Sequence, residues 1–121
     1  MALIHLTEDA FERVVDQPGI VILDFWAAWC GPCRTFGPVF EKAAERHPDI
    51  TFAKVDTEAE RGLAGAFQIR SIPTVMAFKD GVGVFSQPGA LPAAALDELV
   101  AALRTLDVEA LQKEQGGPAG A

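Results

Sequence analysis

The chain is short of several things, and each shortage closes off a class of protein. It holds only two cysteines in 121 residues. A secreted scaffold stapled by disulfides spreads several cysteines along the chain to close long loops, so that class is excluded. Ten lysines and arginines face seventeen aspartates and glutamates, a formal charge of −7, and the basic residues form no cluster. Such a domain grips a phosphate backbone poorly, and no nucleic-acid partner is expected. The acidity instead suits solubility and a charge bias towards some protein partners. Met1 to Asp9 lacks a basic segment and a sustained apolar stretch, so it does not read as a secretory signal. The longest uncharged run, Gly81 to Leu96, is broken by Gly83, Pro88, Gly89 and Pro92 and is too short to span a bilayer. No membrane association is expected, and the expected location is the cytoplasm.

What is present is apolar material in regular patterns. Half the residues are hydrophobic, enough for one core in one domain, and a monomer is expected. Leu3–Leu6 suits a short opening strand. Thr7 then offers an N-cap to a helix whose apolar face is Phe11, Val14 and Val15, stopped by Pro18-Gly19. Ile20–Trp26 is nearly continuous in apolar residues, as a strand covered on both faces should be. From Cys30 the spacing turns helical through Phe36, Val39, Phe40, Ala43 and Ala44, ending at His47-Pro48. Ile50–Asp56 reads as a third strand. Thr57 to Glu60 has capping-box spacing ahead of a helix buried along Ala59, Leu63, Ala66 and Phe67. Thr74–Lys79 and Val82–Ser86 flank Asp80-Gly81, a two-residue hairpin signal, and Leu96, Leu99, Val100 and Leu103 mark a closing helix entered at Pro92.

The order βαβαβαββα predicts an α/β fold: a mixed five-stranded sheet, mostly parallel, with helices on both faces and a hairpin at one edge. Residues 1–106 read as the domain and 107–121 as a tail. Val108 and Leu111 extend helix by a turn or two, and Gly116 to Ala121 is expected to be non-helical and disordered.

The two cysteines stand together as Cys30-Gly31-Pro32-Cys33 at the start of a predicted helix. Residues i and i+3 share a face there, with Cβ atoms about 5–6 Å apart, so a disulfide can close and reopen. The helix N-terminus offers unpaired N–H groups and partial positive charge, which favour a thiolate on the first cysteine. Pro32 is tolerated in the first turn, where its missing N–H has no partner to lose. A zinc site needs two further ligands, yet the only histidines are His5 and His47, so no metal is expected. Two inert buried cysteines fit poorly too, because Trp29, Gly31 and Pro32 suit an exposed turn. A CxxC beside a βαβ pattern is a redox signal.

The segment Phe25-Trp26-Ala27-Ala28-Trp29-Cys30-Gly31-Pro32-Cys33-Arg34 resembles the active-site segment of the thioredoxin family. Pro38, Lys54-Val55-Asp56, Ile72-Pro73-Thr74 and Gly89-Ala90 match in order and spacing, and the likeness runs from about Leu3 to Leu106. It implies the three-layer thioredoxin fold and a protein disulfide reductase without bound cofactor. Electrons would come from NADPH through a flavoprotein thioredoxin reductase. The resemblance makes Cys30 the nucleophile and Cys33 the resolving thiol. Asp24, the one ionisable residue in Ile20–Trp26, would be a buried acid exchanging a proton with Cys33, and Lys54 its partner. Pro73 would be a cis-proline facing the pair. Trp29, Gly31, Pro32, Ile72, Pro73, Gly89 and Ala90 would form the substrate surface, while Trp26 and Pro38 read as structural, Pro38 kinking its helix. This chain departs from the family pattern at Ser71, at Gln87-Pro88 and in having no tyrosine. These departures bear on partner preference and leave the reaction intact. The competing readings are a thiol oxidase or isomerase on the same fold, and a scaffold or chaperone using the same apolar surface.

Overall fold

A computed structural model describes residues 3–120. Its elements run β1 (Leu3–His5), a 3-10 turn (Glu8–Ala10), α1 (Phe11–Val15), β2 (Ile20–Trp26), α2 (Gly31–Arg46), β3 (Thr51–Asp56), α3 (Arg61–Ala66), β4 (Thr74–Lys79), β5 (Val82–Pro88), α4 (Ala93–Thr105) and α5 (Val108–Gly120). The five strands form one sheet in the order β1-β3-β2-β4-β5. β3 pairs in parallel with β1 and β2, while β4 runs antiparallel to both β2 and β5. This is the expected mixed α/β sheet.

The period of two along β2 divides the core into two layers. On one face Ile22 packs with Phe36, Phe40 and Ala44 of α2 and Leu96 and Val100 of α4. On the other, Val21, Leu23 and Phe25 pack with Val15 of α1 and Leu63 of α3. Phe67 closes this second layer, its ring centroid 5.4 Å from Phe11 and 6.1 Å from Phe25. Only the two end residues of β2 are exposed even in part, which accounts for its near-continuous apolar run. Cutting one of these buried phenylalanines to alanine costs about 3–5 kcal/mol.

The hairpin between β4 and β5 turns on Asp80 and Gly81, with φ of 51° and 83°. Positive φ at both central residues gives a turn whose twist matches the strands it joins. Asp80 also accepts the Gly19 N–H through Oδ1 at 2.7 Å, tying the hairpin to the start of β2.

Three sequence expectations need correction. Thr7 occupies the N-cap position, but its side chain makes no cap bond, and the chain first takes a 3-10 turn. The capping box at Thr57–Glu60 does not form. Asp56 holds that turn instead, Oδ1 accepting the N–H groups of Glu58 at 2.9 Å and Ala59 at 3.3 Å, so α3 starts later, at Arg61. Ala59 and Ala66 are therefore exposed, and Leu63 is the buried residue of α3. Finally, helix continues through residues 116–120, where none was expected. Asp107 Oδ1 accepts the Ala110 N–H at 3.0 Å and caps this helix. Helix here runs against the poor intrinsic preference of Gly116, Gly117 and Pro118, and Pro118 brings no N–H to it. Ala121 lies outside the described residues.

Candidate active site

Topology brings the motifs to one edge. β2 and β3 are parallel and end together, Trp26 opposite Asp56. β4 is antiparallel to β2, so its first residue, Thr74, lies opposite Phe25 at that same edge. The turn after β2 therefore meets the Ile72-Pro73 segment entering β4, as ligands do at the carboxyl ends of strands in open α/β sheets. Three bonds brace the turn. Thr57 donates its backbone N–H and its hydroxyl to the Trp26 carbonyl at 2.9 and 3.0 Å, and Arg34 Nη1 donates to the Ala28 carbonyl at 3.0 Å.

Cys30 is the N-cap of α2, with Pro32 in the first turn. Its Sγ accepts the Cys33 N–H at 3.2 Å, so one of the helix's unpaired donors already points at this sulfur. The cysteines form a disulfide with Cα atoms 5.2 Å apart. Each is only 4% exposed, whereas Trp29 beside them is 68% exposed. The Trp29 indole N–H donates to Glu58 Oε2 at 3.2 Å, which holds the ring out over the turn.

The Ile72–Pro73 peptide is cis. The Ile72 carbonyl oxygen lies 3.7 Å from Cys30 Sγ, and the Pro73 carbonyl accepts the Gly89 N–H at 2.7 Å. This bond draws Gly89, whose φ is 99°, to the same rim. Trp29, Gly31, Pro32 and Ala90 are exposed there, and Ile72 and Gly89 are half-buried. Pro73 is buried, so its ring offers no open surface to a partner.

Asp24 is completely buried and neither carboxylate oxygen has a hydrogen-bond partner. Burial pushes its pKa up to about 7, with Lys54 working against the rise and Glu41 adding to it. Lys54 sits directly across from Asp24 in the β2–β3 register. Its ammonium does not pair with Asp24, however; it lies 3.4 Å from Glu41 Oε2 on α2 and 5.1 Å from the centre of the Trp26 ring. The reason is reach: β3 lies inside the sheet, so this side chain must run under α2 to find solvent, and Glu41 stands at the exit. Glu41 was missed in the sequence, where it is one more acid on the polar face of an amphipathic helix. Trp26 Nε1 is also buried without a partner. The two histidines are engaged elsewhere, His5 opposite Lys54 on β1–β3 and His47 beside Asp97 at 2.9 Å.

A cysteine pair that closes a disulfide at a helix N-terminus fits the chemistry of dithiol–disulfide exchange. The thioredoxin family model matches residues 2–102. The chain belongs to the thioredoxin family. It is 52% identical over 120 residues to a Streptomyces coelicolor protein named "Putative thioredoxin 2", covering 97% of this chain and 90% of that one. It is 42% identical to a thioredoxin of Coprinus comatus, over 76% of this chain and 88% of the relative. Among solved structures, a point mutant of Halobacterium salinarum thioredoxin superposes with a TM-score of 0.80 at 32% identity, covering 88% of this chain and 94% of that one. As a thioredoxin, the chain is a protein disulfide reductase working through its Cys30–Cys33 pair, and thioredoxins need no bound cofactor. Among the described residues no helix is long and apolar enough to cross a membrane.

Proposed function

We propose that Cys30 is the nucleophile and Cys33 the resolving thiol of this reductase, with Asp24 as the proton acceptor. The carrying observation is the asymmetry of the pair: the Cys30 sulfur accepts a helix N-terminal N–H at 3.2 Å and faces the Ile72 carbonyl. That donor favours negative charge on Cys30. The Cys30 thiolate attacks a substrate disulfide, a mixed disulfide forms, and the first substrate sulfur leaves and takes a proton. Cys33 then gives its proton to Asp24, attacks Cys30 Sγ, and expels the second substrate sulfur, which takes up a proton in its turn as Asp24 gives its own back. Two electrons and two protons have moved to the substrate, and the Cys30–Cys33 bond has closed. A pKa of about 7 suits Asp24 to this exchange, since a base poised near working pH both takes and returns protons.

Trp29, Gly31, Pro32, Ile72, Gly89 and Ala90 surround the cysteines and supply the docking surface for extended substrate segments. Pro73 contributes by shaping the backbone on which such a segment pairs. Lys54 bears on Asp24 by charge. A flavoprotein thioredoxin reductase, drawing on NADPH, reopens the disulfide. The protein works in the cytoplasm, where thiols are kept reduced, a placement supported by its cysteine usage. Residues 1–106 carry the activity. The test is NADPH consumption with a thioredoxin reductase and a disulfide-bonded protein as final acceptor. Turnover that depends on both cysteines is expected; no consumption above the reductase alone would overturn the reading.

A further inference from the structure

We infer that Glu41 is a positioning residue for the exchange reaction: it holds the Lys54 ammonium away from the Asp24 carboxylate and so leaves that carboxylate free to take the proton of Cys33. The inference rests on the role proposed for Asp24. Lys54 is the cross-strand neighbour of Asp24, the nearest place for an ion pair to form, yet Asp24 has no hydrogen-bond partner. The Lys54 side chain is 12% exposed and its ammonium approaches Glu41 Oε2 at 3.4 Å and the Trp26 ring at 5.1 Å, and it fills the space beside Gly37, where a Cβ would stand 3.5 Å away. Three features on one side of the channel thus hold the cation, and Glu41 is the only charged one.

The surroundings of Asp24 leave few other charges to consider. Its β4 neighbour is Val75, and the buried side chains of α2 and α4 in this layer, Phe36, Phe40, Leu96 and Val100, are apolar. Lys54 from β3 and Glu41 from α2 are the charged groups that bear on it. The cysteine thiols at the N-terminus of α2 join them as titratable groups only in the reduced protein. A fully formed Asp24–Lys54 pair would hold Asp24 ionised but would oppose the protonated state that the cycle also requires. Glu41 prevents that pairing. At 48% exposed it is also open to solvent, so changing it leaves the core intact.

The experiment follows the Asp24 carboxyl by carbon NMR as pH is varied in the oxidised protein, where the thiols do not titrate. Glu41→Gln should move the Asp24 midpoint down by about 0.5–1 pH unit, as expected when an opposite charge is released towards a carboxylate. Glu41→Asp should restore most of the parent value. In a Lys54→Met background the same Glu41→Gln change should have less than half that effect, because no cation is left to reposition. Single-turnover resolution of a trapped mixed disulfide should show its pH dependence shifted in step with the midpoint. An unmoved midpoint in Glu41→Gln, or an equal shift with and without Lys54, would overturn the inference. Asp24→Asn separates the two readings: if it resolves mixed disulfides as fast as the parent, the role of Asp24 itself has failed.

Discussion

At the scale of single residues, the two cysteines look equivalent in sequence and differ in place. Cys30 caps α2, and its sulfur meets the Cys33 N–H at the helix entrance. Cys33→Ser should still attack and should accumulate mixed disulfides that persist until a reductant is added, whereas Cys30→Ser should trap little. Equal trapping by the two variants, read on non-reducing gels, would reverse the assignment of roles. Asp24 gives a second prediction, with a definite sign. Its folded pKa of about 7 lies above the ordinary value of 3.8, so the folded state holds the proton more tightly. The stability this contributes is full below pH 3.8 and is lost as pH rises through about 7. A gap of about three units at roughly 1.4 kcal/mol each makes the loss about 4 kcal/mol at most. Asp24→Asn should therefore be the more stable protein at pH 8, and the advantage should shrink at pH 4. Denaturant midpoints at both values, with unchanged slopes, decide it.

At the scale of elements, α4 ends on a support that its own sequence does not contain. Lys79, the last residue of β4, donates from Nζ to the carbonyls of Leu103 at 2.5 Å and Leu106 at 2.9 Å. The Leu103 carbonyl otherwise accepts only the long 3.3 Å bond from the Leu106 N–H, and the cation also complements the negative end of the helix. Lys79→Met should cost about 1–3 kcal/mol, with the reductase-coupled rate unchanged for the folded fraction. A loss below a few tenths of a kcal/mol in urea unfolding would show the cap to be idle. The same scale shows where sequence patterns mislead. The spacing of Thr57 to Glu60 is that of a capping box, but Asp56 at the end of β3 takes over the turn: its Oδ1 accepts the Glu58 and Ala59 N–H groups, and its carbonyl takes the Glu60 N–H that a Thr57 cap would have bonded. A local pattern states which bonds are possible. The path of the chain out of the preceding strand chooses among them.

At the scale of the whole molecule, the sheet, its two apolar layers and α4 form one body, and the α2–α4 contact carries much of one layer. The segment from Asp107 onwards adds α5 beyond the Lys79 cap, with Leu111 half-buried. A chain ending at Leu106 keeps the Leu103 and Arg104 carbonyls that Lys79 holds and turns the Leu106 oxygen into a terminal carboxylate that still accepts from it. It should therefore unfold within a few degrees of the full-length protein and keep its reductase turnover. A drop of more than about 8 °C, the effect of roughly 1–2 kcal/mol in a domain this size, would move the domain boundary into α5.

The order and type of the elements were legible because they rest on periodicity, which is a property of neighbouring residues. So was Cys30-Gly31-Pro32-Cys33, from its spacing; the apolar run around Asp24 left its burial open, and the resemblance to the thioredoxins favoured it. Resemblance to the thioredoxins, not pattern, pointed to Ile72-Pro73 and Gly89-Ala90 as parts of the same site. Only the tertiary structure decided how that site is wired. The antiparallel entry of β4 puts the Ile72 carbonyl beside Cys30, the Gly89 N–H seeks the Pro73 carbonyl, and Lys54 passes Asp24 to reach Glu41. Residues 24, 41 and 54 carry no mutual signal along the chain. Their coupling arises because β2, β3 and α2 meet in a medium of low dielectric, where a few ångströms set which charge a buried carboxylate feels.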